Sequence, residues 1–258
     1  AKEGRATMEF ILISLVAFGA AILTFFSGFG LGTILLPTFA LFFPIELAIA
    51  LTGVVHFFNG LFKLLLIGRH AEKDILVRFG IPAVFAAFAG AWLLLHLSDL
   101  PVLYTYDCLG KSFIITLVKL VIAILLIAFA IMDLLPFFER LRIRKSHLPI
   151  GGVLSGFFGG LSGHQGALRS AFLVRAGMTK EAFIGTATVI AVVIDITRLG
   201  VYSTRFVDAG LQAQIPLILS ATLSAIAGAY VGLRLLKKIT LSFIHTVVAI
   251  MLMIIGVA

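Results

Sequence analysis

His56, Asn59 and Lys63 stand at i, i+3 and i+7 of one apolar segment, so a helix there presents all three on one face. A later apolar segment carries Asp195 and Arg198 at i, i+3, a spacing at which the two side chains can pair. Ionisable groups in such surroundings are costly and mark ion or substrate paths. Two glycine-rich breaks accompany them, Ser27-Gly28-Phe29-Gly30-Leu31-Gly32 and Gly159-Gly160-Leu161-Ser162-Gly163-His164-Gln165-Gly166, the second followed within a turn by Arg169. Each break opens a short apolar helix, whose unpaired N–H groups and positive dipole end suit an anion. Gly28, Gly30, Gly32, Gly163 and Gly166 would let the backbone turn and the ligand approach. These residues, with His56, Asn59, Lys63, His164, Gln165, Arg169, Asp195 and Arg198, form the predicted binding set for a small anionic substrate.

Blander readings compete at each point. Glycines also let membrane helices pack closely. A lysine near a helix end can carry its charge to the interface, which would account for Lys63. Glu46, His56 and Asp195 are candidates to carry a coupling proton. Lys119 lies well inside its predicted segment with no evident partner, so a cavity or a neighbouring copy of the chain is open to it. Asp133 and His245 read as interfacial or packing residues.

Other chemistries find little here. No pair of histidines has zinc spacing and no Cys-x-x-Cys occurs. Gly28-x-Gly30 lacks the strand–turn–helix setting of a dinucleotide site, and no phosphate-loop lysine follows it. Ser162-Gly163-His164 is too little for a nucleophile. No enzyme, metal or cofactor is expected.

The elements that must position these residues are set by composition. Of 258 residues 61% are hydrophobic and 12% charged, with a mean hydropathy of +1.17. Soluble domains are roughly a quarter charged, so the soluble, disordered and disulfide-scaffold classes are excluded. The net charge of +8 comes without basic runs interleaved with aromatics, which excludes nucleic acid as a partner. Cys108 is the single cysteine. Apolar helical segments are predicted at 8–26, 33–43, 45–67, 76–97, 112–135, 149–159, 167–176, 180–202, 211–236 and 241–258. This is an all-α polytopic protein of the lipid bilayer.

The series helix, glycine break, short helix, three long helices occurs twice. Pro44-Ile45-Glu46 matches Thr179-Lys180-Glu181, Lys63 matches Arg198, Ile81-Pro82 matches Ile215-Pro216, and Ala89-Gly90-Ala91-Trp92 matches Ala227-Gly228-Ala229-Tyr230. The predicted division is 1–138 for one repeat, 139–148 for a basic linker and 149–258 for the second. Arg69, Lys73, Arg78, Arg140, Arg142, Arg144, Lys145, Arg175, Lys180, Arg234, Lys237 and Lys238 can all face the cytoplasm only if each broken pair re-enters on the side it left. Three crossings per half then make the repeats inverted, with both termini outside and Lys63 and Arg198 flanking one midplane site.

The duplicated motif, with Pro37 after its first copy and Ala167-Leu168-Arg169-Ser170 after its second, resembles that of the TauE/SafE family of sulfite and sulfonate permeases. Nearly the whole chain takes part. The resemblance implies a secondary transporter of the cell inner membrane that exports a small sulfur-containing or organic anion by alternating access. An anion channel is the alternative, and an intramembrane enzyme or assembly factor a more distant one. Export also has a physical basis, since an anion leaving a negative interior gains ~2.3 kcal/mol per 100 mV.

Overall fold

The computed structural model describes residues 2–27, 30–108, 111–134, 145–206 and 211–235. Gly28 and His245 from the sequence reading lie outside these residues, as does much of the predicted linker. Helices α1 (Lys2–Ser27), α2 (Leu31–Ala40) and α3 (Ile45–Ile67) are followed by α4, which runs Lys73–Ser98 through a π-helical turn at Leu76–Gly80. The wide turn precedes Pro82, whose ring nitrogen has no hydrogen to offer the carbonyl one turn back. A hairpin, β1 (Tyr104–Cys108) and β2 (Lys111–Ile115), leads into α5 (Leu117–Leu134). Then come α6 (Leu148–Ser162), α7 (Gly166–Leu173), α8 (Lys180–Phe206) and α9 (Ile215–Leu235).

Among the described residues five segments are long and apolar enough to cross a bilayer: Thr7–Phe25, Ile45–His70, Lys73–Ser98, Lys180–Ser203 and Gln212–Arg234. Their outer faces are apolar too. Leu65 is 86% exposed, Phe85 73% and Leu223 66%, an arrangement that water would penalise and lipid tails accept. The chain is an all-α polytopic membrane protein.

The segment predicted as helix over 112–135 is corrected at its start. Tyr104 pairs with Ile115 and Tyr106 with Phe113 in an antiparallel ladder, because aromatic and β-branched residues dominate both strands. The Thr116 hydroxyl accepts from the Lys119 N–H at 3.3 Å, and α5 begins there. Lys119 is therefore exposed in the first turn, its Nζ donating to the Ile114 carbonyl at 2.8 Å, rather than deep in a helix.

Close packing depends on small residues. Gly152, Gly156 and Gly160 line one face of α6 against the backbone of α4. A Cβ on each would fall 2.2, 2.1 and 2.0 Å from the carbonyl oxygens of Phe79, Ala83 and Ala87. Contact numbers rise together, so α6 and α4 run parallel. α9 lies on α1 in the same parallel sense: Ser220 Oγ is 2.7 Å from Ser14 Oγ, and a Cβ on Gly228 would fall 2.2 Å from Phe18 O. At the centre α3 runs antiparallel to α8, with Gly53 against Leu199, Gly60 against Val192, and the Glu72 N–H beyond its end bonded to Thr186 Oγ1 at 2.9 Å.

Candidate functional site

The two helix breaks meet. α6 ends at Gly163, whose φ of +81° is a left-handed conformation that a side chain would strain. That turn drops the chain into His164 and Gln165 before α7 starts, and the Ser155 hydroxyl pins the loop by donating to the Gln165 carbonyl at 3.0 Å. Across from it Gly30 leads into α2. A Cβ on Gly32 would lie 3.2 Å from Gly163 O, and one on Gly30 would lie 3.8 Å from the Gly166 nitrogen. First-turn N–H groups have no partner within their own helix, and here two such helix starts stand side by side inside the protein.

Behind them lies a buried polar network centred on Asp195, 0% exposed. Its Oδ2 is 2.5 Å from His56 Nδ1. Its Oδ1 accepts from Arg198 Nε at 2.9 Å and from Gln165 Nε2 at 3.2 Å, with Arg198 Nη2 at 2.8 Å. Gln165 Oε1 in turn accepts from Arg169 Nη1 at 3.0 Å. Two neighbours hold Arg198 in place: Gly53 and Gly163 leave room for a guanidinium that any Cβ would crowd. Among the described residues Asp195 is the one buried carboxylate, while Arg169 and Arg198 are both buried. Buried charge of this kind is tolerable only when paired and hydrogen-bonded.

In front of the network is a cavity of about 40 Å³, room for about three waters and comparable to one small oxyanion. Its walls are Thr24 and Phe25 of α1, Leu31 of α2, His56, Asn59, Gly60 and Lys63 of α3, Arg169 of α7, and Ile184, Ala187, Thr188 and Ala191 of α8. Lys63 Nζ lies over the Phe25 ring, 5.2 Å from its centre, an attractive position for a cation. Asn59 Oδ1 is buried and has no hydrogen-bond partner among the described residues. The excess of positive charge over Asp195 favours a negative occupant.

The predicted binding residues thus divide into three groups. His56, Asn59, Lys63 and Arg169 line the cavity, with Gly30 and Gly166 beside His56. Gln165, Asp195 and Arg198 form the network behind. Gly32 and Gly163 pack on each other, and His164 turns away, its ring stacked 5.7 Å from Phe129 and its Nδ1 3.2 Å from both Ser162 O and Ser162 Oγ. The cation that shares the cavity with Lys63 is Arg169, not Arg198. Sequence reasoning missed Thr24, Gly60 and Thr188, and no spacing signal distinguished them from other small residues. Among the described residues no cluster of His, Cys, Asp or Glu could hold a metal ion.

A family model described as Sulfite exporter TauE/SafE matches residues 13–258. No curated protein matches the chain.

Proposed function

The chain belongs to the sulfite exporter TauE/SafE family, a family of membrane transporters, and from that premise we propose that it carries a small sulfur-containing or organic anion, outward, by alternating access. One observation carries the reading: a cavity of oxyanion size, walled by Lys63 and Arg169, lies beside His56 where two helix starts meet. Lys63 and Arg169 supply charge, the first turns of α2 and α7 supply N–H donors, and Asp195, through Gln165, holds the Arg169 guanidinium in aim.

The same proposal takes 1–138 and 149–258 as inverted repeats joined by 139–148, in the cell inner membrane with both termini outside. The packing supports it. Exchanging the halves sends the α4–α6 pair onto the α9–α1 pair, both parallel and both glycine-mediated, and sends α3–α8 onto itself, antiparallel. Gly185 against Ala71 and Gly80 against Ile190 set α4 parallel to α8 and so antiparallel to α3; a matching reversal between α8 and α9 would bring α1 and α6 in from opposite sides, which is how inverted repeats with broken helices present a midplane site.

Proteoliposomes loaded with sulfite, methanesulfonate or sulfate test the function. Efflux that saturates, and that speeds up when the same anion is placed outside, is the expected result. Efflux linear in concentration without that acceleration makes the protein a channel, and no efflux of any anion refutes the reading.

A further inference from the structure

His56 joins the cavity to the network behind it. Its ring lines the cavity, while Nδ1 is engaged by Asp195 at 2.5 Å. Nε2 points the other way, to the junction of the helix starts: a Cβ on Gly30 would lie 3.6 Å from Nε2 and 3.8 Å from the Gly166 nitrogen. Asp195 cannot turn aside, because Arg198 and Gln165 hold its other oxygen. A carboxylate fixed on Nδ1 keeps the ring hydrogen there, so the neutral imidazole carries its lone pair on Nε2. An oxyanion at the junction would meet that lone pair, which repels it. A proton on Nε2 turns the same edge into a charged donor, and hydrogen bonds to charged groups are the strong ones.

We propose that His56 is the coupling-proton site of this transporter, taking up one proton on Nε2 for each anion bound, so that proton and anion cross together. The inference rests on the transport reading and deepens it. The cycle balances simply. With the cavity empty the imidazole is neutral and Nδ1–H donates to Asp195. A proton from water on the loading side adds to the Nε2 lone pair, and the new N–H donates to the anion. On the release side the anion leaves, the proton returns to water, and the neutral ring is restored. A monoanion then moves with no net charge, so the membrane potential does no work on the loaded carrier, and the outward direction is set by the anion and proton gradients instead of by the potential.

The surrounding charges set the linkage. On α3 itself Lys63 and Asn59 face the cavity; α7 contributes Arg169, the preceding loop Gln165, and α8 Asp195 and Arg198, while His164 turns away toward Phe129. Among the described residues, α1 and α2 contribute the uncharged Thr24, Phe25 and Leu31 to the cavity wall. Lys63 and Arg169 present like charge to a protonated His56 and Asp195 opposite charge, and a bound anion adds a second opposite charge. By reciprocity the proton tightens the anion as much as the anion tightens the proton.

Methanesulfonate and thiosulfate, neither of which titrates near neutral pH, are suitable probes. Calorimetric titration of the purified full chain in buffers of different ionisation heat counts the protons taken up per anion. Between about pH 5 and 8 the count should approach one at its maximum, and anion affinity should rise by up to about ten-fold per pH unit of acidification. In His56→Gln the count should fall to near zero, with weaker binding, whereas Lys63→Gln, which removes the other nitrogen cation of α3 in this cavity, should keep the proton uptake. As a check that needs no variant, an outward methanesulfonate gradient in wild-type proteoliposomes should drive protons out with the anion, read by a trapped pH dye. Binding without proton uptake, or uptake that survives His56→Gln, overturns the coupling and leaves transport standing. Failure of wild-type protein to bind either probe overturns both.

Discussion

Gly30→Ala separates an anion site from helix packing at the breaks. Gly30 has φ −76° and ψ 134°, angles that alanine adopts freely. The new methyl would lie 3.6 Å from His56 Nε2 and 3.8 Å from the Gly166 nitrogen, ordinary van der Waals contacts, so stability should change by no more than about 0.5 kcal/mol. Yet the methyl occupies the space where an anion must reach both groups. Losing one hydrogen bond to a charged group costs about 1.5–3 kcal/mol, so affinity should fall roughly ten- to hundred-fold, more for a bulky sulfonate than for sulfite. Gly160→Ala is the contrasting case. Its Cβ would fall 2.0 Å from Ala87 O, a clash that only separation of α6 from α4 relieves, at about 1–3 kcal/mol or more. Melting temperature without ligand, then affinity for two anions of different size, reads both variants. If Gly30→Ala melts low and binds the two anions with equal proportional loss, the breaks are packing devices and the reasoning fails.

Arg169→Gln should lower anion affinity about ten-fold or more with little loss of melting temperature, because Arg169 faces the cavity; unchanged affinity would remove it from the site. Arg198→Gln should instead cost about 3–5 kcal/mol of stability by leaving Asp195 without its cation, and Asp195→Asn should recover part of that loss in the double variant. Additive losses in that thermal-melt cycle would show that the pair is not coupled. Cysteines placed at Ala6 and at Ser146, with Cys108 replaced, should react with a membrane-impermeant reagent from opposite sides; labelling from one side sinks the inverted arrangement. Asp99 and Arg205, paired beyond the ends of α4 and of the Lys180–Ser203 span, give the pH prediction. The Arg205 hydrogen bond holds the Asp99 carboxyl below its usual range, so the pair's contribution is complete above the ordinary value of about 4 and is shed as pH falls through the lowered one. The pair is exposed, so Asp99→Asn should hardly move the melting temperature at neutral pH and should abolish only the acid-side loss; a large neutral-pH drop would contradict this.

How far the sequence reached follows from the range of the forces involved. Composition and hydropathy are sums over the chain, and they suffice for a polytopic helical protein, since every apolar stretch must satisfy its own backbone in lipid. Helical spacing is local, so the shared face of His56, Asn59 and Lys63 and the Asp195–Arg198 pair were legible. So were the breaks: glycines after an apolar run end a helix wherever it lies. The hairpin was missed because Phe113, Ile114 and Ile115 look alike as helix or strand until a partner strand is present. Only the tertiary structure brought His56 to Asp195, 139 positions away in the chain, and set Arg169 rather than Arg198 beside Lys63. Repeat arithmetic matched Lys63 with Arg198, but Arg198 sits between Gly53 and Gly163 with Asp195 before it, and a fully buried guanidinium stays with the carboxylate that neutralises it. Which cation faces the cavity depends on which helices pack and how closely, and that was decided by glycines meeting backbones that the sequence does not pair.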